Sequence, residues 1–354
     1  MKTTIKLHKV SKNTVSEQLV ITVIDQQLPL KTVFRISRGA KTHANIIIVT
    51  INDGVNTGWA EAVPYPRYKE SVELVKEQII AFSKQSLDSE NIEGCLAALS
   101  SGAARNALDC AWWDLKAKQQ NTTVAQLLQL MPAVPRITAQ TLSIDTPQAM
   151  AKAVIELNNP PLVKVKLDNQ DILEKMTAIQ RAAPNSEFII DANEGWNITD
   201  LTQCCEQLKA LNVVLIEQPL PSGQDQDLIN FISPIPLCAD ESCHTRAELE
   251  YLKNRYQVVN IKLDKTGGLT EAVLLIKEAK KQGFEVMVGC MVGSSLGIAP
   301  AALLVNDAKF VDLDGPLLIS KDRKNGFEFI KGFMQPLSAE LWGGPNNYSE
   351  AQEC

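Results

Sequence analysis

The second half of the chain repeats one unit, a short β-branched run followed by a helical stretch, and this repeat limits the possible folds more than any other feature. Strand candidates begin near Arg136, Pro161, Glu187, Val213, Pro236, Val258, Glu285 and Phe310. Strands separated by helical segments at intervals of about 25 residues are typical of βα units around a parallel sheet. Eight such units in succession predict an α/β protein with a (β/α)8-type TIM barrel. An open doubly wound sheet would more often carry a glycine-rich phosphate loop after its first strand, and this sequence has none there.

The first 120 residues follow a different pattern. Alternating runs and helical patterns predict three strands and two helices, at residues 20–24, 45–51, 57–62, 69–83 and 102–119. Asn52-Asp53-Gly54 supplies a hairpin turn between the second and third of these strands. We therefore predict an N-terminal α+β capping domain at 1–125, the barrel at 126–320, and a C-terminal segment at 321–354 that packs back on the capping domain.

Composition and charge exclude several classes of protein. The chain has 354 residues, 45% of them hydrophobic and 21% charged, which is ordinary for a globular protein. Its 35 basic and 41 acidic residues give a net charge of −6, so we expect neither a nucleic-acid nor an anionic-membrane partner. The sequence has no apolar run long enough for a membrane span, and Met1–Val10 lacks the apolar stretch of a signal peptide. Eight scattered cysteines without a CxxC pair predict reduced thiols and a cytoplasmic location.

Acidic side chains lie at the ends of three consecutive strand candidates. Asp191, Glu217 and Asp240 follow the third, fourth and fifth of them, and the carboxyl ends of barrel strands form one face. Three carboxylates held close together repel unless a cation lies between them. An all-oxygen ligand set without histidine favours Mg²⁺, or Mn²⁺ in its place, over zinc. Solvated loop acids or helix caps are the alternative, and they explain one such residue better than three.

Three lysines lie at the same face of the predicted barrel. Lys164 and Lys166 are two residues apart on the second strand, so they share a face, and Lys262 ends the sixth strand, across the barrel. Amines on opposite sides of a bound substrate form an acid/base pair that addresses both faces of one carbon. A general base needs the lysine pKa to fall from about 10.4 to about 7–8. Burial, the Lys164 ammonium and a divalent cation are all expected to lower the pKa of Lys166.

This set of residues resembles the enolase superfamily. The Lys164-x-Lys166 pair with the lone Lys262 is similar to the muconate-lactonising subgroup, and within it the chain resembles the dipeptide epimerases that act on L-Ala-D/L-Glu. The closer resemblance rests on PYPRY at 64–68, ADESCHTR at 239–246 and NIKLDKTGG at 260–268. The resemblance to the superfamily covers nearly the whole chain, from the hairpin and GAARNALD at 102–109 to DLDGP at 312–316. The paired acids in the last segment are the strongest discriminator.

The resemblance implies a modified (β/α)7β barrel, one Mg²⁺ per subunit and a small dipeptide substrate. The implied metal ligands are Asp191, Glu217 and Asp240. The C-terminal carboxylate of the dipeptide is implied to bind the metal, with Lys164 helping to neutralise it. A cytoplasmic role in recycling cell-wall peptides, in which L-Ala-D-Glu occurs, is also implied.

The resemblance also implies the chemistry of the remaining residues. Lys166 and Lys262 exchange a proton at the α-carbon of the C-terminal residue, through an enediolate whose charge the cation stabilises. Asp312 and Asp314 hold the α-ammonium group of the dipeptide. None of the three histidines lies on the seventh strand, which disfavours the histidine-based mandelate-racemase arrangement, and His244 is expected to be structural.

Substrate specificity is expected to come from the capping domain. A glutamate side chain needs a cation, and Arg35 and Arg38 lie in the predicted loop between the first two strands. Either arginine could match a carboxylate with paired donors, and a solvated surface charge is the alternative for each. Thr141, on the first barrel strand, is expected to contact the peptide.

Other activities use the same scaffold. Cycloisomerisation, elimination to o-succinylbenzoate and N-acylamino-acid racemisation need the same metal and lysines, but Asp312 and Asp314 would repel most of their anionic substrates. A catalytically silent ligand-binding relative would be free to lose a lysine or a metal ligand, and this chain has lost none. The oligomeric state has no sequence signature, so a homo-oligomer remains open.

Overall fold

The computed structural model describes residues 18–346. The segment Met1–Val10, on which the expectation about a signal peptide rests, lies outside the described residues, as do His8 and Cys354. Within residues 18–346, no helix has both the length and the apolar character needed to cross a membrane.

The capping domain is built on an antiparallel three-stranded sheet of order β1–β2–β3, with strands β1 Val20–Ile36, β2 Gly39–Asn52 and β3 Thr57–Ala62. The turn into β3 forms where the sequence predicts it, since Asn52 Oδ1 accepts a hydrogen bond from the Gly54 amide at 2.7 Å. The helices of this domain are α1 Val72–Ser83, α2 Ile92–Ala97, α3 Ala103–Gln119 and α4 Val124–Leu127, with a 3₁₀ turn at Pro66–Tyr68.

Helix α3 packs closely on the capping sheet. A Cβ atom at Gly58, on β3, would lie 2.2 Å from the carbonyl oxygen of Ala111, so only glycine permits this approach. Asp114 on the same helix accepts a hydrogen bond from the Trp59 amide at 3.0 Å and one from the Gly343 amide at 2.7 Å. The C-terminal part of the chain therefore contacts the capping domain.

Eight parallel strands form the barrel in chain order. After a two-residue strand, β4 Arg136–Ile137, they are β5 Gln140–Leu142, β6 Leu162–Lys166, β7 Glu187–Asp191, β8 Val213–Glu217, β9 Leu237–Ala239, β10 Val258–Ile261, β11 Glu285–Gly289 and β12 Phe310–Asp312. The Ala139 amide donates to the Val311 carbonyl at 2.8 Å, so the first and last strands meet and the barrel is nearly closed. The predicted barrel with its capping domain is confirmed.

Helices surround the barrel. They are α5 Pro147–Glu156, α6 Ile172–Ala182, α7 Ile198–Ala210, α8 Leu249–Leu252, α9 Leu263–Thr266, α10 Leu269–Lys281, α11 Ser295–Ala302 and α12 Gly315–Leu318, with 3₁₀ helices at Gln226–Asn230, Arg246–Glu248 and Val305–Asp307. The shortest intervals of the sequence repeat flank β9, where a 3₁₀ helix and the four-residue α8 replace full helices.

The structure differs from the predicted elements in two places. The strand expected from Arg136 onward is divided, because β4 joins a small sheet with β13 Phe329–Ile330 and β14 Phe333–Met334. The first hairpin is much longer than the alternating runs suggested, so Arg35 lies in β1 and its predicted place in a loop is wrong. The domain boundaries at 125/126 and 320/321 stay predictions.

Candidate active site

The interior of the barrel is layered, and the layers follow from strand periodicity. A floor of apolar side chains comes from successive strands: Leu162, Ile189, Leu215, Cys238, Val258 and Met287. Residues two positions further along each strand share its face. They are Lys164, Asp191, Glu217, Asp240, Asn260 and Gly289. Two residues further along the strands, the interior of the barrel therefore changes from apolar to mainly charged.

A cavity of about 530 Å³ opens above this charged layer. Its walls combine the ends of the barrel strands with the β1–β2 hairpin and the 3₁₀ turn Pro66–Tyr68 of the capping domain. The predicted site residues that line it are Arg38, Thr141, Lys164, Lys166, Asp240, Lys262, Asp312 and Asp314. Asp191 and Glu217 are completely buried.

Each of the three carboxylates that the sequence assigns to a metal faces at least one ammonium group. Asp191 Oδ2 lies 2.5 Å from Lys166 Nζ and 3.0 Å from Lys164 Nζ. Glu217 Oε2 lies 2.7 Å from Lys164 Nζ, and Asp240 Oδ2 lies 2.7 Å from Lys262 Nζ. Strand register explains this proximity, because Lys166 pairs with Asp191 and Asp191 pairs with Glu217 across adjacent strands.

The electrostatics of the site follow from burial and these ion pairs. Burial disfavours the charged form of Asp191, yet the ammonium groups of Lys166 and Lys164 hold its pKa below the ordinary value. Burial and then the charge of Asp191 raise the pKa of Glu217 to about 6. Burial opposes the charge of Lys262, but Asp240 outweighs it and raises the pKa of this lysine. Lys262 therefore holds its proton firmly as long as Asp240 is its partner.

The donor set fits a hard divalent cation. Three carboxylates converge from adjacent strand ends, and Glu217 Oε2 is buried without receiving a hydrogen bond, even from the nearby Lys164. Carboxylate oxygens are the ligands that Mg²⁺ prefers. The carboxylates are turned toward the lysines, and within residues 18–346 no three Asp, Glu, His or Cys side chains adopt metal-binding geometry. The chemistry of Asp191, Glu217 and Asp240 suits the cation but their orientation does not hold one, so their role as metal ligands stays a prediction.

Two residues that the sequence analysis did not assign support these carboxylates. Asn260 donates to Glu217 Oε1 at 2.8 Å. Lys265 donates to Asp240 Oδ1 at 2.7 Å and to the carbonyl oxygens of Cys243 and Asn260, both at 2.9 Å. Asn260 could have been found from its spacing, since it precedes Lys262 by two residues on one strand and so shares its face. Lys265 carries no such signal, because it lies on the short α9.

Asp312, the last residue of the eighth strand, and Asp314, two residues beyond it, occupy different environments. Asp312 Oδ2 accepts from Lys164 at 2.7 Å, and its Oδ1 is buried without a hydrogen-bond donor among the described residues. Asp314 Oδ2 accepts from the Thr141 amide at 2.6 Å. Burial and the charge of Asp312 raise the pKa of Asp314 to about 7. Thr141 is thus brought to the predicted ammonium site.

Of the two arginines expected to bind a substrate side chain, Arg35 lies outside the cavity and Arg38 is already paired with carboxylates. Arg35 is half exposed and approaches Asp145 at 3.9 Å, and it does not line the cavity. Arg38, at the hairpin turn, donates to Glu194 at 3.1 Å and to the Asn193 carbonyl at 2.7 Å, and lies 2.8 Å from Glu241. Its guanidinium therefore ties the hairpin to two barrel loops.

Lys41 lines the cavity, although the sequence analysis did not single it out. It lies on β2 opposite Phe34 of β1, with its Nζ 5.7 Å from the centre of the Phe34 ring. The sequence analysis missed Lys41 because it predicted the strands from the alternating runs at 20–24 and 45–51, and the hairpin extends beyond both runs. His244, expected to be structural, lies edge-on to the Tyr68 ring at 4.6 Å, and burial lowers its pKa to about 4.

Both halves of the chain match known families. Residues 146–335 match the enolase C-terminal domain-like family, and residues 8–129 match the mandelate racemase/muconate lactonizing enzyme N-terminal domain. The chain is 59% identical over 304 residues to an N-acetyl-D-glutamate racemase from a Pseudoalteromonas species, covering 85% of this chain and 96% of that protein. It is 45% identical over 314 residues to an L-Ala-D/L-Glu epimerase from Escherichia coli strain K12, covering 88% and 98%.

Solved structures share the fold. An enolase family member from Agrobacterium tumefaciens with homology to dipeptide epimerases, determined with bound sodium and L-Ala-L-Glu, matches with a TM-score of 0.88 and 43% identity over 92% of this chain and 100% of that one. A dipeptide epimerase from Enterococcus faecalis, complexed with Mg and L-Leu-L-Tyr, matches with a TM-score of 0.84 and 26% identity over 90% and 97%. This chain therefore belongs to the mandelate racemase/muconate lactonizing enzyme family of the enolase superfamily.

Proposed function

We propose that this protein epimerises L-Ala-D/L-Glu-type dipeptides at the α-carbon of the C-terminal residue. The observation that carries the proposal is the placement of Lys166 on the second barrel strand and of Lys262 directly after the sixth, each against a carboxylate of the charged layer. Strands two and six are opposite each other in an eight-stranded barrel, so the two amines approach a substrate from opposite sides.

In this reaction one lysine removes the α-proton and the other returns a proton to the opposite face. The direction of epimerisation decides which of the two acts as the base, so both must change protonation state in each turnover. Lys164 lies 2.7 Å from both Glu217 Oε2 and Asp312 Oδ2. It is placed to neutralise an α-carboxylate that takes on charge as the proton leaves.

A divalent cation fits the carboxylate set, and we propose Mg²⁺ held by Asp191, Glu217 and Asp240. When bound, such an ion supplies electrostatic stabilisation for charge that develops on the substrate carboxylate. With a cation held there, the negative charge of Asp240 that raises the pKa of Lys262 would be offset. Release of this lysine from Asp240 is needed before it can act as a base near neutral pH.

Asp312 and Asp314, at the end of the eighth strand, suit the positively charged amino terminus of a substrate. Asp312 Oδ1 has no hydrogen-bond donor among the described residues, and Asp314 lies beside it, held by the Thr141 amide. An α-ammonium group would satisfy this oxygen and offset the repulsion between the two acids. A dipeptide with a free N-terminus fits this arrangement. A role in recycling cell-wall peptides in the cytoplasm forms part of the same proposal.

A second candidate function is racemisation of N-acetylglutamate, which the 59% identity to an N-acetyl-D-glutamate racemase favours. N-acetylglutamate and L-Ala-Glu share the entire reacting half, including both glutamate carboxylates and the acylated nitrogen. They differ in the acyl group, because the alanyl α-carbon carries an ammonium group and a methyl group where the acetyl group ends in a methyl group. Asp312 and Asp314 therefore distinguish the two candidates, and Lys166 and Lys262 serve both.

Proton exchange in D₂O tests both candidates. We would incubate the protein with Mg²⁺ and L-Ala-L-Glu, L-Ala-D-Glu or either enantiomer of N-acetylglutamate, and follow the glutamyl α-proton by NMR. We expect the α-proton to exchange and the other dipeptide diastereomer to appear. This activity should be lost when the metal is chelated and restored when Mg²⁺ is added back. Faster exchange of N-acetylglutamate would favour the second candidate. Absence of exchange with every substrate, with Mg²⁺ binding demonstrated by calorimetry, would refute both.

A further inference from the structure

Glu61, on strand β3 of the capping domain, carries a buried carboxylate that reaches the start of helix α11 beside the barrel. Its Oε1 accepts from the Ser294 amide at 2.7 Å, and its Oε2 accepts from the Ser294 hydroxyl and from Arg323 Nη2, the latter at 3.1 Å. Ser294 is the N-cap of α11, and its Oγ accepts from the Leu296 amide at 3.2 Å. One carboxylate of the capping domain therefore holds the backbone at which this helix begins.

The backbone around Ser294 leaves room for this carboxylate. A Cβ atom at Gly293 would lie 2.7 Å from Glu61 Oε1, and one at Gly297 would lie 3.0 Å from the same oxygen. Any larger residue at these two positions would press on the carboxylate. Arg323 completes the cluster, since its Nε donates to Ser294 Oγ at 3.2 Å.

The ion pair between Glu61 and Arg323 is buried, and burial limits what it can add to stability. The two side chains are 0% and 3% exposed. The free energy of desolvating both charges offsets much of their attraction, and apolar side chains of similar volume often stabilise a protein as well or better. The directional hydrogen bonds of the pair instead fix the position of the Ser294 backbone.

The segment that Glu61 holds is also a wall of the active site. Residues 290–292, directly before the glycine and serine that surround the carboxylate, line the cavity. The segment packs tightly against Gly315, where a Cβ atom would lie 3.0 Å from the Met291 carbonyl oxygen. Gly315 directly follows Asp314, so a shift of the segment changes the space available at the end of the eighth strand.

We propose that Glu61 is a positioning residue for the site that binds the ammonium group of the substrate, because it fixes the segment against which Asp314 is held. The contacts run from Glu61 through residues 290–294 to Gly315 and Asp314. Glu61 is not among the described residues that line the cavity, so it acts through Asp314. The inference rests on the proposed function and adds a residue of the capping domain that sets the preference for a free amino terminus.

The test compares the binding of L-Ala-L-Glu with that of N-acetyl-L-glutamate, which lacks the ammonium group, by calorimetry with Mg²⁺ present. We expect Glu61→Met to lower the ratio of the two affinities by about 10-fold, because a charged hydrogen bond weakens when its acceptor is misplaced. Glu61→Gln should lose less, since its amide oxygen can still accept from the Ser294 amide. Gly297→Ala should also lower the ratio, because its methyl group presses on the carboxylate, and it replaces Glu61→Met if that variant does not fold.

Asp109→Asn is the matched control. Asp109 is also a buried carboxylate of the capping domain at the start of a barrel helix, since it accepts from the Thr270 amide, near the beginning of α10, at 2.9 Å. Helix α10 follows the sixth strand, whereas Asp314 follows the eighth. Asp109→Asn should therefore leave the affinity ratio at its wild-type value, whatever it does to the stability of the protein.

Binding measured beside proton exchange separates this inference from the proposed function. A wild-type preference for L-Ala-L-Glu that Glu61→Met reduces would support the role of Glu61, even if no epimerisation occurred. An unchanged ratio in Glu61→Met, or in Gly297→Ala where Glu61→Met does not fold, would overturn it, as would a wild type that binds both ligands equally. Equal losses in Glu61→Met and Glu61→Gln would assign the effect to charge alone and overturn it, and so would a loss of the same size in Asp109→Asn.

Discussion

Replacement of Arg38 by methionine is expected to destabilise the protein without altering the preference for an acidic substrate. The Arg38 guanidinium lies 2.8 Å from Glu241, whose side chain is only 1% exposed, while that of Arg38 is 26% exposed. Loss of the guanidinium leaves a buried carboxylate without its closest cation. Removal of one partner from a fully buried ion pair costs about 3–5 kcal/mol, and the partial exposure of Arg38 reduces this to about 2–3 kcal/mol.

Urea and thermal unfolding, followed by tryptophan fluorescence, measure this change. We expect the thermal midpoint of Arg38→Met to fall by about 3–4 °C, because the entropy of unfolding grows with chain length. A double-mutant cycle with Glu241→Gln should give a coupling energy of about 2 kcal/mol, because the glutamine needs no counterion. Arg35→Met is the control, since Arg35 is exposed and 3.9 Å from Asp145, and it should change stability by less than about 0.5 kcal/mol.

Two results would refute this reasoning. If Arg38→Met matched the control in stability, or if its effect added simply to that of Glu241→Gln, the ion pair would not stabilise the hairpin. If Arg38→Met instead lowered kcat/KM for L-Ala-L-Glu relative to that for L-Ala-L-Gln, the arginine would bind the substrate side chain and not only Glu241.

Three further predictions concern the reaction and the pH dependence of stability. Lys166→Ala and Lys262→Ala should each abolish epimerisation with the fold intact, as judged by circular dichroism, because each amine serves one face of the α-carbon; near-wild-type turnover in either would contradict the two-base mechanism. Asp314→Asn should lower dipeptide turnover by about 10-fold or more and spare N-acetylglutamate, because the amide keeps an acceptor for Thr141 but loses the charge that attracts an ammonium group; equal losses on both substrates would argue against the ammonium site. Burial raises the pKa of Asp264 to about 7, although Val63 and Asn106 donate hydrogen bonds to it, so the folded state holds this proton more tightly than the unfolded state and loses stability as the pH rises from about 4 to 7. Asparagine at position 264 cannot ionise, so the thermal midpoint of Asp264→Asn should rise relative to that of the wild type as the pH increases across this range. Parallel pH profiles of the two midpoints would contradict the raised pKa of Asp264.

The barrel and its charged layer were predictable because both depend on local periodicity. A strand of alternating orientation places Lys164 and Lys166 on one face whatever lies beyond it, and a parallel sheet brings the ends of successive strands together. The convergence of Asp191, Glu217 and Asp240 follows from that rule alone. These parts of the site needed no knowledge of how the two domains meet.

The parts that were missed depend on contacts between distant segments. The length of the hairpin and the place where its turn meets the barrel loops decide which of its cations, Arg38 or Lys41, is paired with barrel acids. Neither can be derived from local sequence patterns. Arg38 is captured by Glu241, which is more than 200 residues away in the sequence. Lys41 reaches the cavity for the same reason, since it lies on the part of the hairpin beyond the alternating runs.

The contacts at the hairpin turn have a thermodynamic consequence. Ser37 and Arg38 meet the barrel through hydrogen bonds and ion pairs to Asn193, Glu194 and Glu241. Apolar exposure is what gives unfolding and opening reactions their large heat-capacity change. Separation of the turn from the barrel breaks mainly polar contacts, so its free energy responds to ionic strength more than to heat-capacity effects. The strength of this attachment should therefore depend more on salt concentration than on temperature.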